Sequence, residues 1–119
     1  LGGGMRQVGV LASAGLVAVR DNWERLAEDH KHCKEVAKGL SEVPGLSVDI
    51  LRAESNILFI EVTCQGVDAP TIVAAVKDLG VLVLPLDDSH IRAVFNYHVT
   101  DAGVEQCIKA FKEVMARYT

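Results

Sequence analysis

Hydrophobic positions in the first third of the chain follow a helical period. Residues 8–19 are apolar on almost every side at helical spacing, which predicts a first helix that is buried all round. Apolar positions then step by three and four, which predicts a second helix with one buried stripe. Asp21 and Glu24 indicate the start of this helix, and Pro44-Gly45 indicates its end. The predicted stripe consists of Trp23, Leu26, His30, Cys33, Ala37 and Leu40.

The remaining residues combine strand patterns with two further helices. Residues 56–63, NILFIEVT, are β-branched, aromatic and apolar on both faces, which predicts a central strand. Asp68 and Gly80 bound a predicted third helix, and Thr100-Asp101 start a fourth. Shorter segments complete the pattern, with an extended piece at 47–51 and a hairpin whose strands, 81–84 and 91–97, flank a turn at 86–89. The core face predicted for the fourth helix consists of Val104, Cys107, Ile108, Phe111 and Met115.

This order of elements predicts an α+β fold, with one domain over residues 1–119. We expect long N-terminal helices, followed by a small, mostly antiparallel sheet with helices packed on one face. The early helices would form a connector at about 4–40, and the small α+β domain would occupy about 46–119.

Composition changes this picture mainly by excluding classes of partner. Half of the 119 residues are hydrophobic and the formal net charge is −4, so we expect no nucleic acid partner. Cys33, Cys64 and Cys107 are odd in number and lack CxxC spacing, which predicts free thiols in an intracellular, cytoplasmic protein. The apolar run at 8–19 is shorter than the roughly 20 residues that span a bilayer, so no membrane partner is expected. An alternative interpretation of this run, with Arg6 as its basic end, is a secretory signal.

Few residues near the N-terminus have the pattern of a binding site. His30, His32 and Cys33 do not predict a metal site, because helical residues two apart point to nearly opposite sides. No metal is therefore expected. The glycines at 2–4 precede a helix, so backbone N–H groups and Arg6 could bind an anion there. A flexible helix start with a surface arginine is the favoured interpretation.

Arg92 is the most informative polar residue. Alternation in the strand HIRAVFNYH puts it on one face with His90, Val94 and Asn96. The planar guanidinium of an arginine binds carboxylates and phosphates in two places, so an oxyanion site fits this position. An ordinary solvated arginine fits it as well. The opposite face is predicted to be core and consists of Ile91, Ala93, Phe95 and Tyr97.

Several segments together resemble a known family. The segments LGGGMRQVGVLASAGLVAV and RLAEDH, the latter at 25–30, resemble the low-specificity L-threonine aldolases. NILF at 56–59, IRAVF at 91–95 and VTD at 99–101 continue the resemblance over essentially the whole chain. These enzymes are fold-type I pyridoxal phosphate proteins that cleave threonine and related β-hydroxy-α-amino acids to glycine and an aldehyde. The resemblance implies that this chain corresponds to their C-terminal portion, including the small domain.

The resemblance also implies which parts of the site this chain has. In the family, the lysine that binds the cofactor lies in an upstream Ser-Lys-Gly motif, and no lysine here has that context. We therefore expect no catalytic residue in this chain, no pyridoxal 5'-phosphate bound to it alone, and an absent N-terminal cofactor-binding domain. Arg92 matches a family arginine that binds the substrate carboxylate. Arg6 matches one expected to reach a neighbouring subunit's cofactor in a homo-oligomer, a dimer or tetramer. Asn96 stands where the family often has histidine, a departure that weakens the inferred site and leaves the fold untouched.

Two classes of function follow from the sequence. One is the C-terminal part of a pyridoxal phosphate-dependent carbon–carbon lyase, which is not active as an isolated chain. The other is a non-catalytic α+β regulatory or dimerisation module, a truncated or degenerate homologue. A Ser-Lys-Gly segment upstream would support the lyase, and a genuine start near Met5 would support the module.

Overall fold

The computed structural model describes residues 3–119, and Leu1 and Gly2, part of the glycine-rich start, lie outside the described residues. The described elements follow one another in the predicted order, so the α+β fold class is confirmed. The helices are α1 (Gly9–Val17), α2 (Leu26–Ser41), α3 (Ala69–Asp78) and α4 (Asp101–Met115). The strands are β1 (Leu46–Ser47), β2 (Ile57–Val62), β3 (Leu84–Pro85) and β4 (His90–Val94).

The strands form one sheet in the order β1-β2-β4-β3, in which every neighbouring pair is antiparallel. β2 is therefore an interior strand, as its sequence predicts. Its residues nevertheless alternate between exposed and buried, because α2, α3 and α4 pack on one face and no described helix covers the other. The largest buried side chains lie between the helices and the covered face, and they are Val36, Leu40, Ile60, Ile72, Val76, Ile91, Phe111, Val114 and Met115.

Capping residues start α3 and α4 as predicted. The Asp68 carboxylate accepts a hydrogen bond from the N–H of Thr71 at 2.9 Å, and the Thr100 hydroxyl oxygen accepts one from the N–H of Gly103 at 3.2 Å. Each bond satisfies a backbone donor that the first helical turn leaves free. The local sequence therefore specifies these two helix starts without help from the rest of the fold.

The predicted start of the second helix at Asp21 and Glu24 is wrong. The chain leaves α1 without a break and passes through a π-helical turn at Ala18–Asn22, and α2 begins only at Leu26. The Asp21 carboxylate binds the neighbouring guanidinium of Arg20 at 2.6 and 2.8 Å. Because the backbone is already helical at Ala18–Asn22, Asp21 lacks the extended conformation of an N-cap and does not start a new helix.

The buried stripe of α2 also differs from the prediction in its first half. Trp23 is 67% exposed, Leu26 is 43% exposed and His30 is exposed, whereas Asp29 and His32 are buried. The packing of α4 against α2 decides which side of α2 is covered. The hydropathy pattern did not predict burial of Asp29 and His32, because it contains no information about this contact. The second half of the stripe is buried as predicted and includes Cys33, Ala37 and Leu40.

The first helix forms as predicted, but the expectation that it is buried all round is wrong within this chain. No residue of α1 is buried, and Val10 and Leu16 are 75% and 65% exposed. The molecule is 54 Å long and 27 Å across, with a radius of gyration of 17.3 Å. A compact domain of this length has a radius of gyration of about 13–14 Å. The helix therefore projects from the α+β body, where no described element covers it.

Several strand boundaries differ from the prediction. Of the extended segment predicted at 47–51, only the first residue belongs to β1, and a 3₁₀ turn follows at Ile50–Arg52. The strand predicted at 81–84 is shifted to Leu84–Pro85, since the N–H of Val81 still bonds to the Val76 carbonyl at the end of α3. The boundaries of these short strands therefore depend more on hydrogen bonds with neighbouring segments than on their own hydropathy.

The second hairpin strand is shorter than predicted at its C-terminal end. β4 ends at Val94, and Tyr97, which the alternation assigned to the core, is 55% exposed. The Asn96 side chain accepts a hydrogen bond from the N–H of His98 at 3.0 Å and turns the chain. The strand alternation therefore stops after Phe95, which is buried as predicted.

Candidate binding site on the open face of the sheet

The sheet face opposite the helices carries the strongest candidate residue. Because side chains alternate along a strand, residues of β2, β3 and β4 that point away from the core share this surface. It combines exposed apolar side chains with an arginine, which is unusual for a surface in contact with water alone. We call this surface the open face, and it consists of Ile57, Phe59, Glu61, Leu84, His90, Arg92 and Val94.

Arg92 lies in the middle of the open face, between two apolar neighbours. Its Cα partners are Phe59 on β2 and Leu84 on β3, which are 58% and 54% exposed. Hydrogen bonds at the two ends of the β2–β4 ladder make Phe59 and Arg92 a non-hydrogen-bonded pair. Facing side chains come closest at such pairs, with Cβ atoms about 4.5–5.5 Å apart. The side chain of Arg92 therefore leaves the backbone next to an aromatic side chain.

The guanidinium of Arg92 has a hydrogen-bond donor for which the described chain provides no acceptor. Arg92 is only partly exposed, and its Nε is buried without a hydrogen-bond partner among residues 3–119. Leaving a buried donor unsatisfied costs about 1–3 kcal/mol. An arginine fork satisfies its donors best with a carboxylate or phosphate that accepts two parallel bonds. The arrangement therefore fits an oxyanion that comes from outside the described residues.

The two ends of the open face differ in polarity. At one end Glu61 faces His90 across the ladder, beside a hollow of about 270 Å³ that Asp49 and Arg52 also line. At the other end Ile57 faces Val94, so that end is apolar. Arg92 therefore lies at the boundary between a charged half and an apolar half.

The turn that precedes Arg92 is fixed by one carboxylate. Asp87 Oδ1 accepts hydrogen bonds from the N–H groups of Ser89 and His90, both at 2.8 Å, and lies 2.9 Å from His90 Nδ1. The Ser89 backbone bond, and then the His90 ring, lower the pKa of Asp87 to about 2. The hydroxyl oxygen of Ser89 also lies 3.0 Å from His90 Nδ1. Since serine and aspartate share one ring nitrogen, these three side chains are not arranged as a catalytic triad.

The structure does not bring Arg6 to the open face. Arg6 is exposed in the turn before α1, and this segment is not part of the sheet. Its role at a neighbouring subunit's cofactor stays a prediction. The lysines lie in the helices on the other side of the sheet, and they are Lys31, Lys34, Lys38, Lys77, Lys109 and Lys112.

A second polar cluster joins α2 to α4. The Asp101 carboxylate oxygen Oδ1 lies 3.1 Å from both Lys31 Nζ and His32 Nε2. Lys31 first, and His32 second, lower the pKa of Asp101. Lys31 and His32 share this carboxylate as a partner, so the cluster joins the two helices. The other ring nitrogen of His32, Nδ1, is buried without a hydrogen-bond partner among the described residues.

The cysteines do not form a reactive or metal-binding centre. All three are free, and burial raises the pKa of the Cys107 thiol to about 11, which leaves it protonated at neutral pH. Among residues 3–119, no three or more His, Cys, Asp or Glu side chains are grouped so that they could hold a metal ion. No helix in that range is long and apolar enough to span a membrane.

The sequence identified Arg92 as a candidate but missed its surroundings. The segment NILFIEVT predicted burial on both faces, so the exposure of Phe59 was not foreseen. Leu84 was assigned to the hairpin without its pairing to Arg92. The sequence feature that pointed to this site was an arginine among the apolar residues of a predicted strand.

Several solved enzyme structures share this fold. The cysteine desulfurase CsdA (S-sulfonic acid) from Escherichia coli matches with a TM-score of 0.76 at 18% identity, over 100% of this chain and 33% of its own. A C-DES mutant with glycine covalently linked to its PLP cofactor matches with a TM-score of 0.69 at 16% identity, over 88% of this chain and 28% of its own. The fold is that of a portion of fold-type I pyridoxal phosphate enzymes.

Sequence comparison then identifies the family. The family described as beta-eliminating lyases matches residues 1–64, more than half of the chain, so the chain belongs to that family. The probable low-specificity L-threonine aldolase 2 of Arabidopsis thaliana is 36% identical over 115 residues, which are 96% of this chain and 32% of that protein. The resemblance to threonine aldolases is thereby confirmed. The chain spans about a third of the length of such relatives.

Proposed function

We propose that this chain is the C-terminal part of a pyridoxal phosphate-dependent lyase that cleaves threonine or a related β-hydroxy-α-amino acid to glycine and an aldehyde. The observation that carries the proposal is the unpartnered, buried Nε of Arg92 on the open face. An α-amino acid brings a carboxylate, which is the kind of group this guanidinium lacks. The similarity to threonine aldolases supports the choice of a β-hydroxy-α-amino acid.

The residues of this chain fit one part of such a site. Arg92 fits the carboxylate of an amino acid, whereas the six lysines all lie in helices away from the open face. The lysine that binds the cofactor covalently would therefore belong to a large N-terminal domain outside these 119 residues. When bound, pyridoxal phosphate supplies an electron sink for the carbanion left at the substrate Cα. We expect none bound to this chain alone.

The contribution of this chain would be to bind and orient the substrate. Two parallel N–H···O bonds from Arg92 would fix the carboxylate plane and so help to set the direction of the Cα–Cβ bond that must break. Phe59 and Leu84 flank the guanidinium and would exclude water from its sides, which strengthens the ion pair. Because an arginine side chain does not lose its proton in proteins, the base for the β-hydroxyl must come from elsewhere.

We also propose that the whole protein is a homo-oligomer, a dimer or tetramer, in which Arg6 reaches the site of a neighbouring subunit. The exposed apolar helix α1, directly after Arg6, supports this arrangement because it needs a covering surface that the described chain does not supply. The free cysteines support the proposed cytoplasmic location.

The product of the full gene tests the lyase against the alternative of a non-catalytic regulatory or dimerisation module. We expect a protein about three times the 12.8 kDa of this chain, with visible cofactor absorbance and threonine cleavage. A native protein with the mass of this chain, and without that absorbance, would support the module. The 119-residue chain alone, mixed with pyridoxal phosphate and reduced with borohydride, is the control. A stoichiometric adduct on one of its lysines would contradict the proposed division between the domains.

A further inference from the structure

We infer that Asn56 is a positioning residue that fixes the C-terminal end of the strand carrying Arg92. The inference rests on the proposed role of Arg92 as the ligand of the substrate carboxylate. Asn56 lies one residue before β2 and faces Phe95, one residue after β4. It is partly buried, and the proposed function gives it no role.

Two hydrogen bonds join Asn56 to Phe95. The N–H of Phe95 donates to the Asn56 carbonyl at 2.8 Å, and the Asn56 carboxamide Nδ2 donates to the Phe95 carbonyl, also at 2.8 Å. A hydrogen-bonded pair in an antiparallel ladder normally exchanges two backbone bonds. Here the chain bends at Ser55 and Asn56, and the side chain supplies the donor for the second bond.

The Asn56–Phe95 pair is the final hydrogen-bonded pair at the C-terminal end of β4. At the other end, the N–H of Val62 donates to the Ser89 carbonyl at 2.7 Å, so the β2–β4 ladder is closed on both sides. Directly after Phe95 the chain turns away at Asn96, and the ladder ends there. Losing the carboxamide bond therefore loosens the C-terminal end of β4, three residues after Arg92, and displaces Arg92 relative to Phe59, its Cα partner.

The chemistry of the carboxamide makes the inference testable by small changes. Asn56→Asp has nearly the same shape but only acceptor oxygens, so it cannot donate to the Phe95 carbonyl. Asn56→Ala removes the donor without adding a charge. Gln106→Glu is the matched control, because Gln106 Nε2 donates to the Leu79 carbonyl at 2.9 Å, between α4 and the end of α3. All three variants remove one bond from a side-chain amide to a backbone carbonyl.

The experiment is steady-state kinetics of the full-length protein with threonine. We expect both Asn56 variants to raise KM about three- to tenfold while kcat changes less than about twofold, because a displaced arginine weakens carboxylate binding. Cofactor absorbance should stay unchanged. Gln106→Glu should lower the thermal midpoint by a similar amount and leave KM unchanged, which separates positioning from general destabilisation.

Arg92→Lys in the same assay separates failure of this inference from failure of the proposed function. If Arg92→Lys raises KM but the Asn56 variants match Gln106→Glu, the positioning role is wrong and the role of Arg92 stands. If Arg92→Lys leaves the kinetics unchanged, both ideas are wrong. Should Asn56→Asp fail to fold, Asn56→Ala decides the question, and an unchanged KM for it overturns the inference.

Discussion

At the scale of single residues, the main feature of the open face is Arg92, whose surroundings leave one hydrogen-bond donor without a partner. An arginine at an ordinary exposed position gives all of its donors to water. Arg92 instead has a buried, unpartnered Nε in a row with Phe59 and Leu84. In the proposed function, a carboxylate that accepts from this fork would replace the missing partner, and the two apolar neighbours would reduce competition from water.

Replacing Arg92 by lysine tests this residue directly. Arg92→Lys keeps the charge but loses the paired geometry. In the full-length protein we expect a higher KM for threonine and a kcat/KM lower by about tenfold or more, equivalent to about 1.4 kcal/mol. The cofactor absorbance should be nearly unchanged. Near-wild-type kinetics would show that Arg92 is an ordinary strand arginine, and cofactor loss from a folded variant would move its role to the cofactor.

Asp87 predicts a pH dependence of stability. The backbone N–H of Ser89 and the ring of His90 hold the folded pKa of Asp87 at about 2, below the ordinary 3.8. A depressed carboxyl pKa stabilises the fold above the unfolded value, and this stability is lost as pH falls from 3.8 towards 2. We expect the thermal midpoint of the Asp87→Asn variant to fall less than that of the wild type as pH is lowered across this range. Asp88→Asn is the control, and equal acid profiles for both variants would contradict the prediction.

At the scale of elements, α2 and α4 approach closely because a glycine lies at their contact. A Cβ added at Gly39 would lie 2.5 Å from Cδ1 and 2.7 Å from Cγ1 of Ile108. The Asp101 carboxylate joins the same two helices through Lys31 and His32. This contact explains why the buried side of α2 includes His32 and not His30.

Gly39→Ala should therefore destabilise the chain. The added methyl group must displace a branched side chain in a packed core, which costs about 1–3 kcal/mol and exceeds the gain in helix propensity. Gly103→Ala is the control, since its Cβ would be 3.6 Å from the nearest atom, the Thr100 hydroxyl oxygen. That variant should be neutral or stabilised by up to about 1 kcal/mol. Denaturant unfolding measures both, and a Gly39→Ala protein as stable as Gly103→Ala would show that the contact is loose.

At the scale of the whole molecule, a packed α+β body carries a projecting apolar helix. α1 has nine residues, none of them buried. Most helical stability in proteins comes from tertiary packing of an apolar face, so α1 needs a packing partner to be stable. Together with the open face, it leaves the chain with two apolar surfaces that no described element covers.

The projecting helix predicts self-association of the 119-residue chain. We expect it to bind an apolar dye and to sediment as more than a monomer at high concentration. Val10→Lys combined with Leu16→Lys should reduce both effects without lowering the thermal midpoint, because neither side chain contributes to the core. Leu51→Lys, at a position 86% exposed in the 3₁₀ turn, is the control and should change neither. A clean monomer that does not bind the dye would contradict the prediction.

The sequence by itself determined the features that local chemistry encodes. The caps at Asp68 and Thr100, the helical periods of α3 and α4, and the turn before Arg92 all follow from residues that are neighbours in the chain. The α+β class followed from their order, and Arg92 was found because a charge interrupts an apolar strand. These features need no information about distant contacts.

Only the tertiary structure decided which surfaces are covered. Hydropathy predicted burial for Trp23 and for Phe59, yet both are exposed, because burial requires a second surface that the local sequence does not specify. The side of α2 that is buried was set by α4, and the end of β4 by the pairing of Phe95 with Asn56. The Nε of Arg92 is likewise buried without a partner because β2 and β3 lie on either side of β4, and the local sequence does not specify this pairing.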